Sequence, residues 1–438
     1  MSAVTHLLVL LALAAAAWCG DVPRSEIVSL ERAHEMALLN APNITLAQLG
    51  ALAALDQVAI ARASYLPNVI ANVTMARAAS DNTRLAAGAL NNPSVYDREA
   101  GGVTVTQLIT DFGRTTGQID AVRMHAWAEG KRSQATVDQI LMEVDLLYYR
   151  TLQSQARVVV AEQTVANRQV VVDRVGGLVA NKLKSDLDLS FANVTLEEGR
   201  MLLAQVNNEL TTNQLTLAAL LGFDAPQPFQ LVDQPVAPPP ANATVATVVA
   251  QALGANPIIS RLRLEVSSAM RAYDAARALD YPTISAIGAA GYIVDHDPRL
   301  ANSYAAGAFN LSIPLYSGNA LATQQHEASL RIDMARAALR AAEDDLSKDV
   351  RVALANTTYT FARLDMAKKL LAQATLSYDL AKSRFDLGLT SIVDLNQADL
   401  NRTDAAMTES TAKQEYLIQV AILNNRLGAV GIPAQKHP

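Results

Sequence analysis

The chain has little of what usually interrupts a helix. From Gly318 to Gly428 it runs for 111 residues with no proline and one interior glycine, Gly388. Proline is costly inside a helix and glycine moderately so, which predicts helix on both sides of a single break. Cysteine is nearly absent as well. Cys19 stands alone, which excludes an intramolecular disulfide and a cysteine-built zinc or redox centre. The formal charge is only −6 and the basic residues are scattered, which argues against nucleic acid as a partner. No apolar run beyond the amino terminus approaches the roughly 18–20 residues of a transmembrane helix. Also missing are a Gly-x-Ser-x-Gly nucleophile motif, a phosphate-binding Gly-x-x-x-x-Gly-Lys, a His-Glu-x-x-His pair and a dinucleotide glycine fingerprint. No enzyme and no cofactor is expected.

The amino terminus carries its own signal. Leu7 to Trp18 is an apolar core followed by small residues, with Ala15 and Ala17, or Ala17 and Cys19, at cleavage spacing. Residues 1–20 therefore read as a secretory signal, although the short leader has no Lys or Arg. Cys19 at that boundary suits acylation of a bacterial lipoprotein, against which stands the large Trp18 before it.

Within the proline-free stretch, Leu364, Ala367, Leu371, Ala374, Tyr378, Ala381 and Phe385 step by three and four residues in alternation. That is a coiled-coil seam. A helix from Asn319 to Leu387 would be about 100 Å long at 1.5 Å per residue, so the sequence predicts an elongated molecule. Lys368 and Lys369 beside the seam read as a solvated face.

Short strands are predicted where helical patterns meet proline, at Tyr65-Leu66-Pro67 and Tyr281-Pro282. After Pro67, Val69, Ala71, Val73 and Met75 interleave with Asn68, Asn72 and Thr74, and Ile70 spoils the polar face. From Gly102 onward Val103, Val105 and Ile109 alternate with Thr104, Thr106 and Thr110. Ile284, Ala286 and Tyr292 share a face, and Phe309, Leu311 and Ile313 alternate with Asn310 and Ser312. These are four strands of about ten residues, the length a tilted strand needs to cross a bilayer. Polar loops, Ser80 to Ala100 and Asp295 to Asn302, separate the members of each pair. Asp81, Asp97, Asp295 and Asp297 in them read as solvated loop residues. His296 between two aspartates is not read as a metal site.

The two halves repeat. A shift of 206 residues superposes Leu183 on Leu389, Ser185 on Ser391, Asp188 on Asp394, Leu189 on Leu395, Ala192 on Ala398, Glu209 on Glu415, Leu217 on Leu423, Leu221 on Leu427 and Gly222 on Gly428. Gly113 and Gly318 correspond at a shift of 205. The unit is helix, strand, strand, long helix, turn, long helix, used twice. Residues 21–222 form the first copy and 246–430 the second, with a short tail at 431–438. Between the copies, residues 223–245 carry Pro226, Pro228, Pro235 and the run Pro238-Pro239-Pro240, a stiff extended connector.

Two strand pairs cannot close a barrel, and lipid does not tolerate open strand edges, because unpaired backbone groups there cost several kcal/mol each. If the strands enter a membrane, chains must combine. Three copies would give twelve strands, an even number within the outer-membrane range; two would give eight, whose interior is usually filled by side chains. The long helices would then pack side by side as a hollow cylinder.

Tyr65-Leu66-Pro67 before the first strand, Asp111-Phe112-Gly113-Arg114 after the second, Phe385-x-x-Gly388-Leu389-Thr390-Ser391-x-x-Asp394 and the duplicated layout resemble the TolC-like outer membrane efflux channel family, over about residues 25–430. The resemblance implies a mainly α protein with a transmembrane β-barrel. It implies a homotrimeric channel-tunnel in the outer membrane that reaches into the periplasm. Its partners would be outer-membrane lipid, a periplasmic adapter and an inner-membrane pump, its cargo small toxic compounds or secreted proteins. It places Phe385, Thr390, Asp394, Gln397 and Asp188 at the periplasmic constriction. A ring of three Asp394 carboxylates there would attract cations and resist full ionisation. Capping a helix is an equally direct use of Asp394 and Asp188, and the two uses can coexist. Gln397 stands where some members carry a second aspartate, and Thr390 lacks the charge of some members' latching arginine.

By the same resemblance Gly388, Leu389, Thr390 and Ser391 form a tip that meets the adapter. The first-half counterpart, Asn181-Lys182-Leu183-Lys184-Ser185, has lost the glycine and gained two lysines, which can set partner choice through charge. The rival reading is a periplasmic coiled-coil adapter, disfavoured by the four barrel-length strands and the full-length duplication.

Overall fold

The computed structural model describes residues 26–76, 86–87, 90–91, 98–223, 229–239, 244–294 and 301–428. The secretory signal, Cys19, the acidic loop residues Asp81, Asp97, Asp295 and Asp297 with His296, and the tail 431–438 lie outside them. The chain divides into two compact units: Met1–Thr45, Thr136–Ala255 and Leu346–Pro438 form one, and Leu46–Ala135 with Asn256–Asp345 the other.

In chain order the elements are β1 (Glu26–Val28), α1 (Leu30–Asn40), α2 (Pro42–Ala63), β2 (Asn68–Ala76), β3 (Ala86–Ala87), β4 (Leu90–Asn91) and β5 (Arg98–Thr110). Then follow α3 (Arg114–Ala180), α4 (Asp186–Leu221), β6 (Phe229–Leu231), α5 (Val245–Ala255), α6 (Pro257–Arg277), β7 (Thr283–Ile293), β8 (Ser303–Ser312), α7 (Ala320–Asp386) and α8 (Ile392–Arg426). The long proline-poor stretches are single helices, α3 and α7 each of 67 residues. All seven seam positions from Leu364 to Phe385 are buried or half-buried.

The second unit holds an antiparallel sheet in the order β2-β5-β7-β8. Its register pairs Val69 with Val105, Val105 with Gly288 and Gly288 with Gly307. Side chains alternate faces along each strand, so directly paired residues share one. The register thus gathers Val69, Ala71, Val73, Val103, Val105, Ala286, Phe309 and Leu311 on one face. Asn68, Asn72, Thr74, Thr104, Thr106, Ser285, Asn310 and Ser312 share the other. Ile70, Leu108, Ile287 and Ile293, with Tyr304, are the large apolar or aromatic exceptions on this face. β5 begins at Arg98, four residues before the predicted Gly102, and has a register shift between Leu108 and Thr110. β2 and β8 are the two outer strands.

Also in this unit, α2 packs Val58 against Ile119 and Ala126 of α3. Ile44 near its start is buried, whereas Leu46, Leu49, Leu52, Leu55 and Ile60 are exposed. This helix is long and apolar enough to cross a membrane by composition, contrary to the expectation from apolar runs. Gln48, Asp56 and Gln57 interrupt its sequence, so no continuous run exists to read.

The first unit has its core where α1, α3, α4 and α8 meet. Met36, Val144, Tyr148, Leu217, Leu221 and Tyr416 are buried there together. The connector is pinned to this core rather than free. β1 and β6 pair in parallel, and Tyr148 Oη bonds the Val28 and Val232 carbonyls at 3.0 and 2.8 Å. Tyr416 Oη donates to the Ala237 carbonyl, and Lys413 pairs with Asp233.

Candidate functional site: the two helical turns

The turns joining α3 to α4 and α7 to α8 are built alike. Leu183 N–H donates to the Leu178 carbonyl and Lys182 N–H to the Val179 carbonyl, both at 2.9 Å. In the second turn Leu389 N–H donates to the Arg384 carbonyl at 2.8 Å and Gly388 N–H to the Phe385 carbonyl at 3.0 Å. Each helix ends through a left-handed residue, which lets the next amides turn back onto its last carbonyls. In the second turn that residue is Gly388, with φ 75°. In the first it is Lys182, with φ 58°, where glycine would be unstrained.

Each following helix opens with a reciprocal capping box. Ser185 and Ser391 accept from the N–H groups of Asp188 and Asp394, whose carboxylates accept from the serine N–H and hydroxyl. Thr390 Oγ1 adds a bond to Asp394 Oδ2 at 2.6 Å. This bond, then those from the Ser391 hydroxyl and N–H, hold the Asp394 carboxyl below its ordinary range. The Ser185 N–H and then its hydroxyl do the same for Asp188. Within one chain the direction is therefore opposite to that expected of a crowded acidic ring. Gln397 lies on the α8 surface and bonds Asn401 at 3.1 Å.

Phe385 sits inside rather than on the turn. It is buried with Tyr378, Val175, Ala192, Ile392, Leu395 and Ala398, from all four helices. Lys184 Nζ lies 4.4 Å from its ring centroid, a cation–π contact that ties the first turn to the second hairpin. Around this shared end the two turns expose matching apolar side chains, Leu183 and Leu187 in one, Leu389 and Val393 in the other, with Leu387 beside them.

Above the turns the structure brings together residues that sequence reasoning did not connect. Arg168 Nε donates to Asp399 Oδ2 at 2.8 Å, and its other end reaches the Thr195 carbonyl at 2.6 Å. Arg402 donates to Asp399 Oδ1 at 2.9 Å and lies 3.9 Å from the Tyr378 ring centroid. Arg174 pairs with Asp386 at 2.9 Å. A second set was findable: Arg157 pairs with Glu209 and Arg363 with Glu415, two ion pairs related by the shift of 206 that aligns Glu209 with Glu415.

The arrangement is a pair of helical hairpins cross-tied at one end, with exposed apolar and charged groups on the turns. It offers binding surface. Comparison with known proteins agrees with the fold. Protein CyaE of Bordetella pertussis is 24% identical over 419 residues, covering 92% of this chain and 83% of that protein. The Campylobacter jejuni CmeC outer membrane channel superposes with a TM-score of 0.82 at 17% identity, over 93% of this chain and 87% of that one. The outer membrane protein VceC of Vibrio cholerae gives 0.78 at 18%, over 91% and 96%. Residues 33–223 and 248–429 match the outer membrane efflux protein family, and the chain belongs to that family.

Proposed function

We propose that this outer-membrane export channel works as a homotrimer in a tripartite system with a periplasmic adapter and an inner-membrane pump. The observation that carries the reading is the four-stranded sheet, which gathers Val69, Val73, Val103, Val105, Phe309 and Leu311 on one face and most of its Asn, Thr and Ser residues on the other, with β2 and β8 as its outer strands. In lipid such edges must be paired, and three copies joined β8 to β2 close twelve strands with the apolar face outward. The exposed leucines of α2 support the same assembly, since a neighbouring copy would cover them.

The turns are the periplasmic end in this reading. Asp394, Asp188, Gln397 and Thr390 converge there from three copies to form the constriction, and Phe385 holds the helices that carry them. Gly388, Leu389, Thr390 and Ser391, with Lys182, Leu183 and Lys184, meet the adapter. The cargo is small toxic compounds or secreted proteins.

Native mass spectrometry of the detergent-purified mature protein, followed by planar-bilayer recording, tests the proposal. A trimer that inserts and gives discrete current steps is expected. A protein that stays monomeric, and remains soluble when detergent is removed, overturns it.

A further inference from the structure

From the way α3 and α6 lie together in the second unit, we infer that His125, Glu129 and Glu265 form a binding site for a divalent transition-metal ion, with zinc as the best fit. The three side chains come from two helices and are brought together by packing. Gly117 of α3 lies against Ala275 of α6 so closely that an added Cβ would stand 3.0 Å from the Ala275 Cβ and N. Further along, Ser268 Oγ donates to the Ala121 carbonyl at 2.8 Å. Continuing in the same antiparallel register, His125 Nδ1 meets Glu265 Oε1 at 3.0 Å. Glu129 follows His125 by four residues, so both side chains project from one face of α3. The backbones that carry the ligands are therefore fixed by contacts independent of the ligands themselves.

The geometry suits an ion. One donor atom from each residue lies within 4.8 Å of the other two. Donors on a tetrahedral zinc, with bonds of about 2.0–2.2 Å, stand about 3.3–3.6 Å apart, so small side-chain rotations complete the set. One imidazole and two carboxylates supply three protein ligands and leave a fourth position for water, a donor set suited to zinc. The charge also fits. Two carboxylates gathered beside one imidazole repel one another, and a dication between them removes the conflict. Arg132 approaches Glu129 at 3.5 Å, but its side chain is 68% exposed, so the pair holds Glu129 only weakly. Such an ion would staple α3 to α6.

Calorimetric titration of zinc into EDTA-treated, full-length protein in detergent tests the site. One zinc per chain is expected, weakened roughly tenfold or more in His125→Ala and in Glu265→Gln. It should be unchanged in His34→Ala, whose imidazole bonds Asp145 at 2.6 Å in the first unit. A second readout needs no variant: bound zinc should protect His125 from carbethoxylation, followed by peptide mass spectrometry. The inference fails if the wild type binds no stoichiometric zinc, if His125→Ala binds as tightly as the wild type, or if saturating zinc leaves His125 equally reactive. None of these readouts depends on conduction, so the site and the channel reading stand or fall separately.

Discussion

Arg168 and Asp399 are 231 residues apart in the sequence and 2.8 Å apart in the structure, where their ion pair joins the first helical hairpin to the second. Their side chains are only 6% and 10% exposed. Such a pair contributes little net stability against a well-packed apolar replacement, yet removing one partner strands a buried charge. Asp399→Leu alone is expected to destabilise the protein by about 3–5 kcal/mol, and Arg168→Met/Asp399→Leu together by much less. Denaturant unfolding of the four members of this double-mutant cycle measures the difference. Additive losses would mean that Arg402, bonded to the same carboxylate, already satisfies Asp399 by itself.

The turn residues Lys182 and Gly388 predict opposite responses to substitution. Lys182 holds a left-handed backbone that costs an ordinary side chain about 1 kcal/mol, so Lys182→Gly should raise stability by about that much. Gly388→Ala should lower it by a similar amount. Nothing lies within 4 Å of the Cβ it would add, so the loss is conformational and not steric. Thermal melts of both variants check the pair.

Asp138 on α3 is buried, and loss of hydration pushes its carboxyl up to about 6 from the ordinary 3.8. A group that holds its proton more tightly when folded stabilises the protein below its unfolded value and loses that contribution as pH rises. The loss should run from about pH 4 to about pH 6 and then level off. Asp138→Asn removes the titration. It should therefore exceed the wild type in stability by about 2–3 kcal/mol at pH 7.5 and match it near pH 4, as measured by denaturant unfolding at each pH.

Much of the fold was legible because its signals are local. Proline marked the starts of β2 and β7, two-residue alternation marked the faces of the sheet, and the three-four seam marked the buried stripe of α7. A capping role for Asp188 and Asp394 was legible, but the N-caps are Ser185 and Ser391, with each aspartate three residues on completing the box. What resisted reading depends on partners far along the chain. Arg402 three residues after Asp399 looks like a surface helix pair, and only packing brings Arg168 to the same carboxylate. His125 and Glu129 have ligand spacing on one helix, but Glu265 enters through the register that Gly117 permits. The α2 surface was overlooked for a different reason. Its apolar residues are interrupted by Gln48, Asp56 and Gln57, which breaks a run in the sequence without cancelling an exposed apolar face.

The capping and pore roles of Asp394 can be separated by experiment. Thr390 Oγ1, Ser391 N–H and Ser391 Oγ all bond the same oxygen, Oδ2, and the residue is exposed, so one carboxylate can cap α8 and still present charge to solvent. Ser391→Ala breaks the box but keeps the charge. It should cost about 1 kcal/mol of stability and leave ion selectivity alone. Asp394→Asn keeps an oxygen to accept from Ser391 and Thr390 but removes the charge. If three copies bring Asp394 to a narrow pore, the reversal potential of Asp394→Asn in a KCl gradient should move away from the cation-selective side, with little change in thermal stability. Asp188→Asn applies the same test to the first turn, where Lys182 and Lys184 already offset the acid, so its shift should be smaller. Unchanged selectivity in Asp394→Asn, beside a clear loss of stability in Ser391→Ala, would assign the aspartate to the helix end alone and move the constriction to other residues.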